Sequence, residues 1–240
     1  MISILVPVFN EENTIELLLK HLDTVSGPVV EELLLIDGGS HDHTIEKIKN
    51  YSNKRIITND STSFPIKILT SKKGRASQMN FGAQHAKAEI LYFLHADSFP
   101  PTHFDTAIAS FISNGKKAGC FRMKFDDSHW WLRLMSWFTK INHRACRGGD
   151  QSLFVCKKLF NNIGGFDENY IIFEDNDFIG KLYDQKMFAV IPEWIITSAR
   201  RYHKHGIWRL QYYYLAMYLK RWLGASGSEL YDYYKEKISK

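Results

Sequence analysis

The sequence predicts an α/β fold, a single domain over residues 1–240 built on a mostly parallel central sheet. Three observations carry that expectation. Short apolar, β-branched runs of strand length recur through the first hundred residues. Segments with helical spacing of apolar residues alternate with them, and strand–helix alternation with parallel crossovers makes a doubly wound sheet. The chain, at 240 residues, is long enough for one domain with a sizeable core.

Residues 2–8 are apolar and β-branched and read as a buried first strand. Pro7 near its end removes a ladder donor and favours a turn. Asn10 is placed to cap the next helix, with Glu11 and Glu12 in its dipole-favoured first turn. That helix carries Ile15, Leu18, Leu19 and Leu22 on one face. Residues 32–36 form the second strand, and Asp37-Gly38-Gly39-Ser40 is a turn with Ser40 as cap for a helix over 44–51. Residues 53–63 read as a polar connection and 65–70 as a third strand. A helix opening at Gly74 bears Ala76, Met79, Ala83 and Ala86 on one side. The strand Leu91-Tyr92-Phe93-Leu94 follows and runs into His95-Ala96-Asp97, so a carboxylate sits at its C-terminal end, where open parallel sheets bind ligands. Phe104, Ala107, Ile108, Phe111 and Ile112 then mark an amphipathic helix.

After Lys117 the texture changes. Phe121, Met123 and Phe125 alternate with Arg122 and Lys124, as in a half-exposed strand. Trp130, Leu134, Trp137, Phe138 and Ile141 stand at helical, core-like spacing. Residues 151–156 read as a strand, 174–183 as a helix, and 187–191 and 195–198 as two short strands. Trp208, Tyr212, Leu215, Leu219 and Trp222 give a long amphipathic helix near the end, also with core-like spacing. The change of texture divides the domain into a first half over 1–115 and a second half with a C-terminal helix over 116–240.

Composition narrows the function classes. Hydrophobic residues make up 45% and charged residues 24%, ordinary for a globular protein. The three cysteines form no Cys-x-x-Cys pair, which argues against zinc and redox motifs and fits a reducing cytoplasm. The start has no basic leader region, and no apolar run approaches the length that spans a bilayer. The net charge of +5 is uneven: residues 116–240 hold 21 Lys and Arg against 13 Asp and Glu, whereas 1–115 hold 10 against 13. An anionic partner is therefore expected at the second half.

The candidate residues lie at turns. Pro7, Phe9, Asn10 and Glu11 form the first strand-to-helix turn, and Asp37 precedes a Gly-Gly turn that lets backbone approach a ligand. Lys72-Lys73-Gly74-Arg75 sets basic side chains before a helix, which suits a phosphate. Asp97 can hold a hard divalent cation, because Mg²⁺ and Mn²⁺ take oxygen ligands and one or two carboxylates suffice when phosphate and water supply the rest. Phe173-Glu174-Asp175-Asn176-Asp177 is an acidic segment at a helix start. Read one at a time, most of these are also explained as caps, turns and solvated loops.

Taken together, Gly74-Arg75-Ala76-Ser77-Gln78-Met79-Asn80-Phe81-Gly82-Ala83 and Phe93-Leu94-His95-Ala96-Asp97 resemble the central block of the family 2 glycosyltransferases, inverting enzymes of the GT-A fold, in a compact bacterial-type branch. The family's strand usually ends Asp-x-Asp; here His95 takes the first position and Asp97 the second. The turn at 36–44 resembles the family's Val-Asp-Asp-Gly-Ser-x-Asp-x-Thr, with Gly38 replacing the second acid. The order of these motifs across residues 4–178 makes the resemblance specific.

The resemblance implies transfer of a sugar from a nucleotide-diphosphate sugar to an unknown acceptor, a glycan, lipid or small molecule, with Mg²⁺ or Mn²⁺ on Asp97. It makes residues 1–115 a nucleotide-binding half and 116–240 an acceptor half. It implies nucleotide contacts from Pro7, Phe9, Asn10, Glu11, Asp37, Gly74, Arg75, His95 and Ala96. Sugar and acceptor contacts fall to Gly149, Asp150, Gln151 and Glu174, the diphosphate to Arg201, and general-base catalysis to Asp175. Processivity is not expected, since Lys220-Arg221-Trp222 lacks the glutamine of the processive motif.

Two other classes compete. A sugar-phosphate nucleotidyltransferase would show a longer Gly-rich loop than Phe9-Asn10-Glu11 after the first strand. A non-catalytic module for nucleotide, RNA or a membrane surface would use the basic, aromatic second half; with no RNA motif, nucleic acid is not an expected partner. The expected localisation is cytoplasmic, or at most peripheral at the inner membrane face through the helix around residues 208–222, whose aromatics can equally fill a core.

Overall fold

The computed structural model describes residues 1–57 and 64–238. Its eight-stranded sheet runs β3-β2-β1-β4-β7-β6-β8-β5. The first half holds β1 (Ile2–Val8), α1 (Ile15–Val25), β2 (Val30–Asp37), α2 (Thr44–Ile57), β3 (Ile66–Thr70), α3 (Arg75–His85), β4 (Ile90–Phe93), β5 (Ser98–Phe99) and α4 (Phe104–Ser113). The second holds β6 (Ala118–Phe125), α5 (Trp130–Phe138), β7 (Leu153–Cys156), α6 (Lys157–Ile163), α7 (Glu174–Asp184), β8 (Phe188–Thr197), α8 (Arg200–His205), α9 (Ile207–Trp222) and α10 (Gly227–Lys237).

Strands β1, β2, β3 and β4 pair in parallel. Their C-terminal ends therefore share one edge, where Val8, Asp37 and the residues after Phe93 leave the sheet. β7 runs antiparallel to β4 with Leu153 opposite Phe93, which brings the segment before β7 to the same edge. β6 and β8 are parallel, and β5 closes the far side antiparallel to β8.

Period-2 alternation splits the apolar residues between two cores. Ile2, Ile4, Val6 and Val8 pack with Leu18, Leu22 and Phe104 on one face. Leu5, Leu34, Ile36 and Phe93 pack with Met79, Phe160 and Phe178 on the other. Helix α3 comes so close to β1 and β2 that a Cβ on Gly82 would lie 2.8 Å from Ile36 Cδ1 and Leu5 Cδ2. On the face of Leu5 and Leu34 the buried Glu32 carboxylate is fully engaged, by Ser3 Oγ at 2.9 Å, Lys67 Nζ at 2.7 Å and the Lys87 amide at 2.7 Å. Burial alone would raise its pKa, but these donors outweigh it and hold the carboxyl low.

Several local expectations are corrected. Asn10 does not cap α1: it sits at φ 55° and its Oδ1 accepts the His41 amide, tying two loops together. Glu11 and Glu12 precede the helix, whose N-cap is Thr14. Ser40 donates to Asp37 instead of capping α2, because Asp42 already takes the Thr44 amide at 3.0 Å. Residues 53–57 of the expected polar connection continue α2; its remainder lies outside the described residues. Gln151 ends a short 3₁₀ turn, Gly149–Gln151, and β7 starts at Leu153. The two short strands near the end are one, β8, with a register irregularity between Phe121 and Arg122 of its partner β6. The tryptophans at core-like spacing are not core: Trp130, Trp137, Trp208 and Trp222 are all exposed.

Candidate functional site

A cavity of about 450 Å³ opens at the shared strand edge. The loop after β1 contributes Pro7, Phe9 and Glu11; the start of α3 contributes Gly74 and Arg75; the loop after β4 contributes His95, Ala96 and Asp97. Asp150 enters from the turn before β7, and Arg200 and Arg201 from α8.

Local chemistry fixes these positions. Gly74 caps α3 at φ 135°, a conformation L side chains rarely adopt. Gln78, buried one turn into α3, donates its amide to Val8 O at 2.9 Å and Ile36 O at 2.7 Å. It clamps the ends of β1 and β2, and a Cβ at Gly38 would meet its side chain at 3.0 Å. Lys73 Nζ stands 3.9 Å from the centroid of the Phe9 ring, a cation–π contact at the cavity wall. Phe173 at φ 70° turns the chain so that α7 begins with Glu174 and Asp175 pointing inward.

The buried centre is a four-residue cluster. The Arg75 guanidinium pairs through Nε with Glu174 Oε1, and its Nη2 lies 3.4 Å from Asp175 Oδ2. Its Nη1 donates to His95 Nδ1 at 3.4 Å. Arginine can only donate, so Nδ1 is the acceptor and the proton resides on Nε2, which stands 3.9 Å from Asp175 Oδ2. Burial, then the Arg75 charge, push the His95 imidazole down to about 3, with Arg201 and Arg200 adding to the depression against Asp150. His95 is therefore neutral, and its approaches to Asp150 and Asp175 are not ion pairs. Burial pushes the Asp175 carboxyl up to about 7, with Glu174 and Asp150 raising it and Arg75 opposing. Its Oδ2 and Glu174 Oε2 are buried without a hydrogen-bond donor among the described residues.

A second cluster closes the other side. Arg200 grips Glu11 with both terminal nitrogens, at 2.8 and 2.9 Å, and reaches Asp97 Oδ2 at 3.1 Å. Burial raises the Asp97 carboxyl, helped by Asp150 and Glu11 and opposed by Arg200.

Pro7, Phe9, Glu11, Gly74, Arg75, His95, Ala96, Asp97, Asp150 and Arg201, all named from the sequence, line this cavity together. Four others do not. Asn10 is spent on the His41 amide, and Asp37 receives the Ser40 amide and hydroxyl at 3.0 and 2.7 Å. Gln151 is buried, accepting from Arg147 at 2.6 Å, and braces the turn that carries Asp150; Gly149 opens that turn. Glu174 is wholly buried against Arg75. Asp175 lies behind the wall that Arg75 and His95 form. Gln78 stands in the segment Gly74 to Ala83 with no role of its own there, and Arg200 adjoins Arg201, the residue expected at the diphosphate. The signal for Gln78 was a polar residue on the apolar side of α3.

No group of three or more His, Cys, Asp or Glu among the described residues is arranged to enclose a metal ion. Asp97 is nevertheless a usable oxygen donor for one, since Arg200 has Glu11 as a full second partner and can leave Asp97 without losing its own pairing. One carboxylate meets the needs of Mg²⁺ or Mn²⁺ when a diphosphate shares the ion.

Known proteins resemble this chain in sequence and in fold. The family model described as Glycosyl transferase family 2 matches residues 3–179. The chain is 26% identical to a dolichol-phosphate mannosyltransferase of Pyrococcus furiosus over 116 residues, 48% of this chain and 30% of that protein. It is 24% identical to an uncharacterised glycosyltransferase of Haemophilus influenzae over 201 residues, 79% of this chain and 64% of that one. The chain thus spans less than two thirds of either relative. Among solved structures it resembles residues 1–349 of S. aureus TarS in complex with UDP-GlcNAc, with a TM-score of 0.66 at 20% identity over 82% of this chain and 58% of that one. It also resembles the mannosyltransferase PcManGT of Pyrobaculum calidifontis in complex with GDP-Man and Mn²⁺, with a TM-score of 0.65 at 16% identity, over 88% and 60% of the two chains. These likenesses establish the fold.

Proposed function

Because the chain belongs to glycosyl transferase family 2, we propose that it transfers a sugar from a nucleoside-diphosphate sugar to an acceptor hydroxyl, with inversion at the anomeric carbon. The observation that carries this reading is one cavity walled by Lys73, Arg75, Arg200 and Arg201 beside the Asp97 carboxylate, with Asp175 directly behind its wall. The cationic wall suits a diphosphate, and Gly74 leaves room for backbone to approach it. Phe9, held against Lys73, offers an aromatic face to the nucleobase.

Asp175 is the general base in this scheme. Its raised carboxyl, and an Oδ2 that receives no hydrogen bond from the described residues, suit a group that takes the acceptor's proton as that oxygen attacks the anomeric carbon. Arg75 pairs through Nε with the adjacent Glu174, and the charge that Asp175 acquires on releasing its proton is met by the same guanidinium. Neutral His95 turns its Nε2 proton toward Asp175 and separates it from Asp150. Asp97 would hold Mg²⁺ or Mn²⁺, which offsets negative charge on the leaving diphosphate. Arg201 supplies a fixed cation to the same group.

Asp150 supports a second assignment of the base, because its side chain is 58% exposed and lines the cavity directly. Release of nucleoside diphosphate from UDP- and GDP-sugars in Mn²⁺ tests the reading, with Asp175→Asn and Asp150→Asn compared. The proposal expects donor turnover by the native protein and loss of it in Asp175→Asn alone. Loss in Asp150→Asn alone would move the base to Asp150.

A further inference from the structure

The apolar stripe of α9 faces outward. The helix packs inward through Leu210 and Met217, both buried, with Tyr213 and Tyr214 alongside. At 100° per residue, Trp208, Tyr212, Leu215, Leu219 and Trp222 fall on the opposite side. They are 57, 65, 55, 51 and 82% exposed. A globular helix ordinarily presents polar residues there. Helix α5 extends the same surface: Trp130 and Trp131 meet Trp208 with ring centroids 5.8 and 5.2 Å apart, and Leu134, Trp137, Phe138 and Ile141 are also exposed. A contiguous apolar patch of this extent marks an interaction surface.

We propose that the joined outward faces of α5 and α9 dock on an anionic phospholipid surface. The charge on the two helices selects that occupant. Neither carries an Asp or Glu, while Arg133, Arg209, Lys220 and Arg221 are exposed on them, with Lys140 just beyond α5 and Lys204 on α8. Of the acidic groups near these helices, Glu229 of α10 is close enough to Lys220 to feel its charge, and Asp126 and Asp127 precede α5, with Asp127 paired to His203 at 3.2 Å. A twofold contact between two copies would bring these like charges together across the interface, whereas anionic headgroups neutralise them at about 1 kcal/mol per basic residue, or roughly fivefold in partition. Tryptophan and tyrosine suit the headgroup boundary, where one end of the ring is apolar and the other wet. On the packed side of the same helix, Arg221 lies 5.0 Å from the centroid of the Tyr170 ring, and Tyr170 lines the cavity, so the docking helix borders the cavity from its inner side. The inference does not depend on the sugar-transfer reading.

Co-sedimentation with vesicles of equal phosphatidylglycerol and phosphatidylcholine at low salt tests it, with phosphatidylcholine vesicles in parallel. The expected result is binding to the anionic vesicles alone, lost at high salt. Leu219→Glu with Trp222→Glu should abolish it without lowering the melting temperature. Arg133→Glu and Lys220→Glu should each weaken it about fivefold or more. If the double variant fails to fold, quenching of the native tryptophans by brominated phosphatidylglycerol decides: quenching supports the proposal and its absence overturns it. No binding to the anionic vesicles, equal binding to both kinds, or a concentration-dependent dimer that the double variant breaks in a protein that ignores vesicles would each overturn it.

Discussion

Arg75 Nη2 lies 3.4 Å from Asp175 Oδ2 while the same guanidinium holds Glu174, so a single cation answers two adjacent buried carboxylates. Arg75 is itself about one third exposed, but Glu174 is wholly buried and Asp175 nearly so. Burial works against the Arg75 charge, and the two carboxylates overcome it, so its proton is held more tightly than usual.

Removing that cation strands two carboxylates. Arg75→Ala is expected to cost about 3–5 kcal/mol, the range for breaking one side of a buried pair. Chemical denaturation of the two proteins measures it. Arg75→Lys should recover part of the loss, since lysine restores the charge without the forked geometry.

The pH profile follows from the raised Asp175 carboxyl. As a base it must be deprotonated, so donor turnover should rise with pH through about 7. Arg75→Ala should move that rise to higher pH, because the guanidinium is what opposes the upward shift. The stability sign is the reverse. The folded state binds the proton more tightly than the unfolded chain, so Asp175's contribution is fully present below about 4 and is lost as pH rises through about 7. Equilibrium unfolding of the native protein and Asp175→Asn across that window should show the pH-dependent part disappear in the variant.

Much of this site was legible because its parts sit where strands end. Once 2–8 and 91–94 read as strands, Phe9 and Asp97 had to meet at one edge. What the sequence hid were partnerships between distant residues. Nothing near Glu174 announces Arg75, and nothing near Arg200 announces Glu11. Periodicity misled at α9, because an apolar stripe specifies a face without saying whether the face meets a core or the outside. The capping assignments failed because Asn10, Ser40 and Asp42 bond across two loops, which a reading of each loop alone cannot see.

Asp97 carries the metal expectation. A nucleoside diphosphate should raise the melting temperature more with Mn²⁺ present than without, since a ligand of the native state stabilises it by mass action. Asp97→Ala should remove the Mn²⁺-dependent part and keep any part that Arg201 and Lys73 supply. An equal shift with and without Mn²⁺ in the native protein would exclude the role.

Gln78→Ala tests the clamp between α3 and the strand ends. It removes two buried hydrogen bonds to backbone carbonyls. The expected loss is about 1–3 kcal/mol, read by denaturation, with a weaker donor affinity because Gly38 and Phe9 lose their support.

The most direct measurement is the rate of nucleoside diphosphate release from a donor sugar by Asp175→Asn, taken with the variant's affinity for that donor. The account predicts an affinity near that of the native protein and a rate lower by about 10²–10⁴, the usual worth of a positioned base. A variant that binds donor and turns it over at the native rate would contradict the central claim.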